Sequence, residues 1–168
     1  MSQQNTDANY NVKLHVYDLS RGLASQMGLG MVGFQVDGIW HSGVVYNDEV
    51  EIYYGNGIQI SSSGQTHHGI PLRIIDIGET SVPRDVLKDY LEELQEKYSH
   101  NTYNLFENNC NHFSQELVSF LTGKDIPEDV SGLAAKILAT PFGQMIRPMI
   151  EQTLKPMVMG ATQNKIVL

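Results

Sequence analysis

A single cysteine, Cys110, follows the pair Asn108-Asn109 and opens an amphipathic run. Asparagine is a strong helix N-cap, so this placement predicts a thiol in the first turn of a helix. There the unpaired backbone N–H groups and the positive end of the dipole favour thiolate over thiol. Cysteines so placed can fall well below the free value of about 8.5, and the same N–H groups can hold an oxyanion. Cys110 also shares a stripe with Phe113, Leu117 and Leu121, which is how an inert core thiol sits. Spacing leaves both readings standing, an activated nucleophile and a buried structural thiol.

A nucleophilic cysteine needs a base, and the sequence offers six histidines. His41 lies in the strand-like run Ile39–Tyr46 beside Trp40, Ser42 and Gly43, a rigid mount with room for a substrate backbone. His112 is two residues from Cys110 and on another helix face, so it does not readily meet the sulfur. His67, His68 and His100 fall in polar segments and read as solvated, while His15 on the first strand can face either way. A metal centre through Cys110, His112 and the His67-His68 pair lacks the paired CxxC or HxxxH spacing of a zinc site. Hence no metal ligand is assigned and no cofactor is called for. Gly28, Gly30 and Gly33 spell G-x-G-x-x-G, but no strand precedes them as a dinucleotide fingerprint requires.

These side chains must be held by the surrounding elements. Residues 12–17 alternate, with Val12, Leu14 and Val16 on one face and Lys13, His15 and Tyr17 on the other, as in a half-buried strand. Asp18 to Met27 reads as a short helix before a glycine-rich connection. The run Ile39–Tyr46 sends His41, Gly43 and Val45 to one face and Trp40, Ser42 and Val44 to the other. Asn47-Asp48 turns the chain into a third strand, Val50–Tyr54, and Gly55-Asn56-Gly57 signals a hairpin into Ile58–Ile60. After the polar loop 61–69, Leu72–Ile77 reads as another strand. Pro83 then opens a helix carrying Leu87, Tyr90, Leu91, Leu94 and Tyr98 on one stripe. The Cys110 helix stops at Gly123, Ser131–Ala139 forms a short third helix, and Thr140-Pro141 starts a last amphipathic segment. Strands first and helices second is an α+β pattern, an antiparallel β-sheet packed against helices. Residues 1–10 read as a disordered lead-in, 11–150 as one domain and 151–168 as a tail.

Composition narrows the functional classes. A formal charge of −8, with the 11 Lys and Arg scattered, is wrong for a nucleic-acid surface, so no nucleic-acid partner is expected. One cysteine makes no internal disulfide. No run reaches the roughly 18 apolar residues of a membrane span. The polar opening has neither a charged n-region nor an apolar h-region, so a cytoplasmic protein, small enough to enter the nucleus, is expected.

Two segments go further. Gly38-Ile39-Trp40-His41-Ser42 and Tyr103-Asn104-Leu105-Phe106-Glu107-Asn108-Asn109-Cys110-Asn111-His112-Phe113 carry a family resemblance. It is extended by the opening 12–20, the helix end Phe120-Leu121-Thr122-Gly123 and Thr140-Pro141-Phe142-Gly143-Gln144. The sequence resembles the PPPDE peptidases, the permuted papain-fold group that contains the deSUMOylating isopeptidases. The resemblance implies a permuted papain-like cysteine peptidase fold with His41 as catalytic histidine and Cys110 as nucleophile. Histidine precedes cysteine, the reverse of papain. It also implies removal of SUMO or another ubiquitin-like modifier from target lysines through a Cys-His dyad and an S-acyl enzyme, without a cofactor, and association as a homodimer. Tyr17, Asn104, Asn108 and Asn111 are candidates for orienting His41 or completing an oxyanion hole, and each also reads as a cap or turn residue. Gly43 and the loop 61–69 are expected to wall a narrow groove. Two other readings use the same residues. One is a protein S-acyl thioesterase (depalmitoylase), with the Met-rich stretch Met145–Met159 lining an acyl channel. The other is a non-catalytic module that binds ubiquitin-like proteins or serves as a transport adaptor.

Overall fold

The structure, a computed structural model, describes residues 8–26, 33–160 and 168. The expected lead-in up to residue 7, Met27, and the glycines at 28 and 30 lie outside the described residues. Five strands follow in chain order: β1 (Tyr10–Asp18), β2 (Trp40–Tyr46), β3 (Val50–Gly55), β4 (Gly57–Ser62) and β5 (Arg73–Thr80). They form one antiparallel sheet in the order β4-β3-β2-β1-β5. Both residues of the β2–β3 turn, Asn47 and Asp48, take positive φ, the geometry that matches the twist of a tight hairpin.

The helices are α1 (Arg84–Glu93), α2 (Cys110–Thr122), α3 (Glu128–Ser131), α4 (Leu133–Leu138) and α5 (Pro141–Met159), with a 3₁₀ turn at His100–Thr102. Residues 23–26 are also helical. The apolar side of β1, Val12, Leu14 and Val16, joins Val44, Tyr46 and Ile52 under Phe113, Leu117 and Leu121 of α2. Period 2 on the strands and the i, i+4, i+8 stripe on α2 thus meet at one core. The Phe113 ring lies edge-on to Tyr98 and tilted to Tyr54. Gly123 ends α2 at φ 68°, a left-handed cap that glycine takes without a Cβ penalty.

Three boundaries depart from the sequence expectation. α1 ends at Glu93, and Leu94 and Tyr98 follow in turns that still bury both side chains. Tyr98 is fastened instead by its hydroxyl to Glu116 of α2. The short third helix is broken into α3 and α4 at Gly132. Finally, residues 151–159, read as the start of a tail, continue α5 and bury Leu154 and Val158. No described helix is long and apolar enough to cross a membrane.

Phe113→Ala removes a ring from the point where α2 meets the sheet. Urea unfolding should show a loss of about 3–5 kcal/mol. A loss under about 1 kcal/mol would mean this contact does not hold the helix.

Candidate active site

Asn109 is the residue that starts α2. Its side-chain oxygen accepts from the backbone N–H of Asn111 at 2.9 Å and of His112 at 3.2 Å. The Asn109 N–H donates in return to His112 Nδ1 at 3.1 Å, completing a reciprocal capping box. Asn104 and Asn108 build the approach. Their backbones pair with each other, Asn104 Oδ1 accepts from Phe106 and Glu107, and Asn108 Nδ2 donates to the Lys97 and Thr102 carbonyls. Both shape the loop that delivers Cys110 to the helix start.

Asn111 ties that helix start to β2. Its Nδ2 donates to the Trp40 carbonyl at 2.9 Å, and its Oδ1 accepts from the Ser42 hydroxyl at 2.7 Å. The Ser42 hydroxyl is also 2.9 Å from Ser114 Oγ. The residues on either side of His41 are therefore fastened to the helix that carries Cys110. Pairing between β2 and β3 spans only Val44–Tyr46 on β2. Residues 40–43 thus part from β3, and the Ser42 backbone N–H faces the Cys110 sulfur in the split. Cys110 reaches this split from the helix side, 3.9 Å from Asn111 Oδ1.

His41 projects from the other face of β2. Its ring lies tilted against His68, with centroids 3.7 Å apart, edge-on to Tyr53 at 5.6 Å and tilted to Tyr17 at 5.8 Å. Below it a buried carboxylate, Glu51, accepts from the Tyr17 hydroxyl at 2.7 Å and the Gly64 N–H at 2.9 Å, with His15 Nδ1 at 3.0 Å. Gly43 makes room for this group, because a Cβ there would lie 2.5 Å from Glu51 Oε1. The loop 61–69 brings His68 against His41.

Burial governs the electrostatics. Cys110 is 3% exposed and His41 fully buried. Burial pushes the Cys110 thiol up to about 11, although the Ser42 N–H, the Tyr103 phenol and the Asn111 and Cys110 amides pull the other way. The helix start favours thiolate as the sequence predicts, but desolvation outweighs it. Burial, then the neighbouring His68 and His67, hold the His41 imidazole well below its ordinary value. Neither ring nitrogen of His41 has a hydrogen-bond partner among the described residues. The cavity beside Cys110 measures about 60 Å³ and is lined by Trp40, Tyr103, Leu154 and Val158 among others. Burial thus favours the neutral thiol and the neutral imidazole in the resting site.

The sequence that builds this site is shared with known proteins. Residues 10–151 match the PPPDE peptidase domain. The chain belongs to the PPPDE peptidase family. It is similar to Desumoylating isopeptidase 1 of Homo sapiens, 42% identical over 84% of this chain and 85% of that protein. The same figures hold for Desumoylating isopeptidase 1 of Rattus norvegicus. A Desumoylating isopeptidase 1 homolog of Caenorhabditis elegans is 31% identical over 92% of this chain and 46% of that protein. Membership makes the chain a cysteine peptidase on a papain-like α+β fold.

Within this PPPDE fold, Tyr17 lies against His41 and Asn111 against Cys110, whereas Asn104 and Asn108 serve the loop. Residue types alone did not single out Ser42, Glu51, His68, Tyr103 or Ser114. Glu51 left a readable signal, a carboxylate inside the strand run Val50-Glu51-Ile52-Tyr53-Tyr54, since carboxylates are rarely fully buried unless paired. His68, read as solvated, lies against His41 because the loop folds back over the sheet.

With the thiol held up to about 11, its alkylation by iodoacetamide should keep accelerating beyond pH 9 as thiolate accumulates. Mass-resolved labelling of the lone cysteine checks this. A rate that levels off below pH 7 would contradict the desolvated thiol.

Proposed function

We propose that the chain is a deSUMOylating cysteine isopeptidase in which Cys110 is the nucleophile and His41 the acid and base. The observation that carries the roles is the lacing of the Cys110 helix start to both neighbours of His41 through Asn111 and Ser42. The names of the similar proteins support the substrate class, SUMO-conjugated proteins.

On substrate entry the Cys110 proton passes to His41, giving thiolate and imidazolium. The thiolate adds to the carbonyl carbon of the glycine–lysine isopeptide bond. Amides at the start of α2 face the developing oxyanion. The C–N bond then breaks, and the lysine amine leaves with the proton from His41. The remaining thioester is attacked by water, whose proton His41 takes. The modifier's carboxylate departs and the thiol is restored.

A second reading rests on a specific observation. An apolar groove of about 740 Å³ runs between residues 19–24 and α5, lined by Leu23, Val36, Met149 and Met157. It shares Leu19, Ile39, Ile150 and Leu154 with the cavity at Cys110. Such a groove suits a fatty acyl chain and supports thioesterase chemistry with the same nucleophile.

Cys110→Ser should abolish release from a SUMO C-terminal fluorogenic amide, and His41→Ala should lower kcat/KM about 10²–10⁴-fold. Wild-type turnover by Cys110→Ser would overturn the assignment. If one preparation hydrolyses an acyl thioester but neither SUMO nor ubiquitin amides, the second reading replaces the first.

A further inference from the structure

We propose that residues 154–160, the end of α5, are a built-in occupant of the substrate channel, and that Cys110 is reached only when this turn lifts. A cavity of about 60 Å³ at the sulfur has room for a few waters, each needing about 10–15 Å³ of such space. An extended peptide tail does not fit in it. The cavity at the sulfur is therefore too narrow for such a tail, and Leu154 and Val158 help to narrow it.

Leu154 and Val158 form part of the wall over Cys110, and Val158 is fully buried. The Val158 carbonyl passes so near Gly55, the last residue of β3, that a Cβ on Gly55 would lie 2.8 Å from it. A glycine at such a place admits close approach of another backbone. The same turn reaches the histidine side of the split. The Met157 backbone lies close enough to the His67 ring to favour its charged form, and Gly160 lies so close to that ring that a Cβ there would be 2.5 Å from Nε2. His67 lies against His68 at 3.9 Å, and His68 against His41, both pairs tilted. One helical turn thereby covers the thiol directly and reaches the imidazole through two rings in contact.

The turn lacks one bond to its own helix. Pro156 lies inside α5 and lacks the N–H that would bond the carbonyl four residues back. Past that point the helix continues to Met159, Val158 is buried, and the Gly160 N–H donates to the Pro156 carbonyl at 3.1 Å. The family match stops at residue 151. The channel thus belongs to the shared domain, and the occupant lies beyond it. What the opened channel would take is a second chain laid where the Val158 backbone lies against Gly55: an extended tail ending in small residues. That last identification rests on the isopeptidase reading; the cap itself does not.

The test uses the full chain, in which any thiol label reports Cys110 alone. Val158→Asp loosens the cap from the helix side, and Gly55→Ala pushes on it from the sheet side. Each should speed iodoacetamide labelling at pH 8 at least tenfold with the thermal unfolding transition retained. Val158→Asp should also speed labelling by an electrophile carried on the SUMO C-terminal tail. If Val158→Asp does not fold, Gly55→Ala decides the iodoacetamide arm. Unchanged iodoacetamide rates in the folded variants would overturn the cap, whatever the SUMO electrophile does. Faster iodoacetamide labelling with no SUMO-tail labelling of any form would keep the cap and overturn the isopeptidase reading.

Discussion

The fold hangs on a small polar tie between the first turn of α2 and the start of β2. Asn111 spans the Trp40 carbonyl and the Ser42 hydroxyl, and Ser114 backs the same hydroxyl one turn further on. All three side chains are buried. In such a place, losing one partner strands the other at about 1–3 kcal/mol. The apolar contacts between α2 and the sheet are non-directional and would tolerate sliding. The asparagine and serines do not, so they fix which residue of β2 sits opposite the helix start. With Ser42 fixed, Cys110 meets the split between β2 and β3, and His41 projects from the far face of the same strand.

A second constraint works against the first. Placing a thiol at a helix start favours its ionised form, but the walls that position it also exclude water. In the resting site desolvation wins for both groups, leaving Cys110 and His41 neutral. A neutral pair is a safe resting state for a hydrolase. Admitting a polar substrate tail in place of Leu154 and Val158 would lessen the burial cost and restore the advantage of the helix amides. Substrate entry and nucleophile activation then become one event.

Much of this was readable in the sequence, and the parts that were not share a cause. Periodicity located the strands and α2, because alternation and the helical stripe report burial directly. The Asn108-Asn109-Cys110 run located the helix start, since capping is a local rule. Contacts between distant segments left weaker traces. Asn111 reads as one more turn residue until Trp40 and Ser42 lie beside it. His68 looks solvated in a loop of serines and glycines, and only the fold-back of that loop lays it against His41. The end of α5 looks like a tail because two prolines interrupt it, yet Val158 is buried at the site. Burial also reversed the local expectation for the Cys110 thiol, for desolvation depends on what covers a residue and not on its neighbours in sequence.

The central claim is that Cys110 becomes covalently acylated by the modifier's tail. Rapid acid quench of the protein with a SUMO–lysine isopeptide conjugate, followed by intact-mass and peptide mapping, tests it most directly. A hydroxylamine-labile SUMO thioester on Cys110 should form before product accumulates, and more slowly in His41→Ala. Hydrolysis with no adduct on Cys110 at any time, or an adduct at another residue, would contradict it.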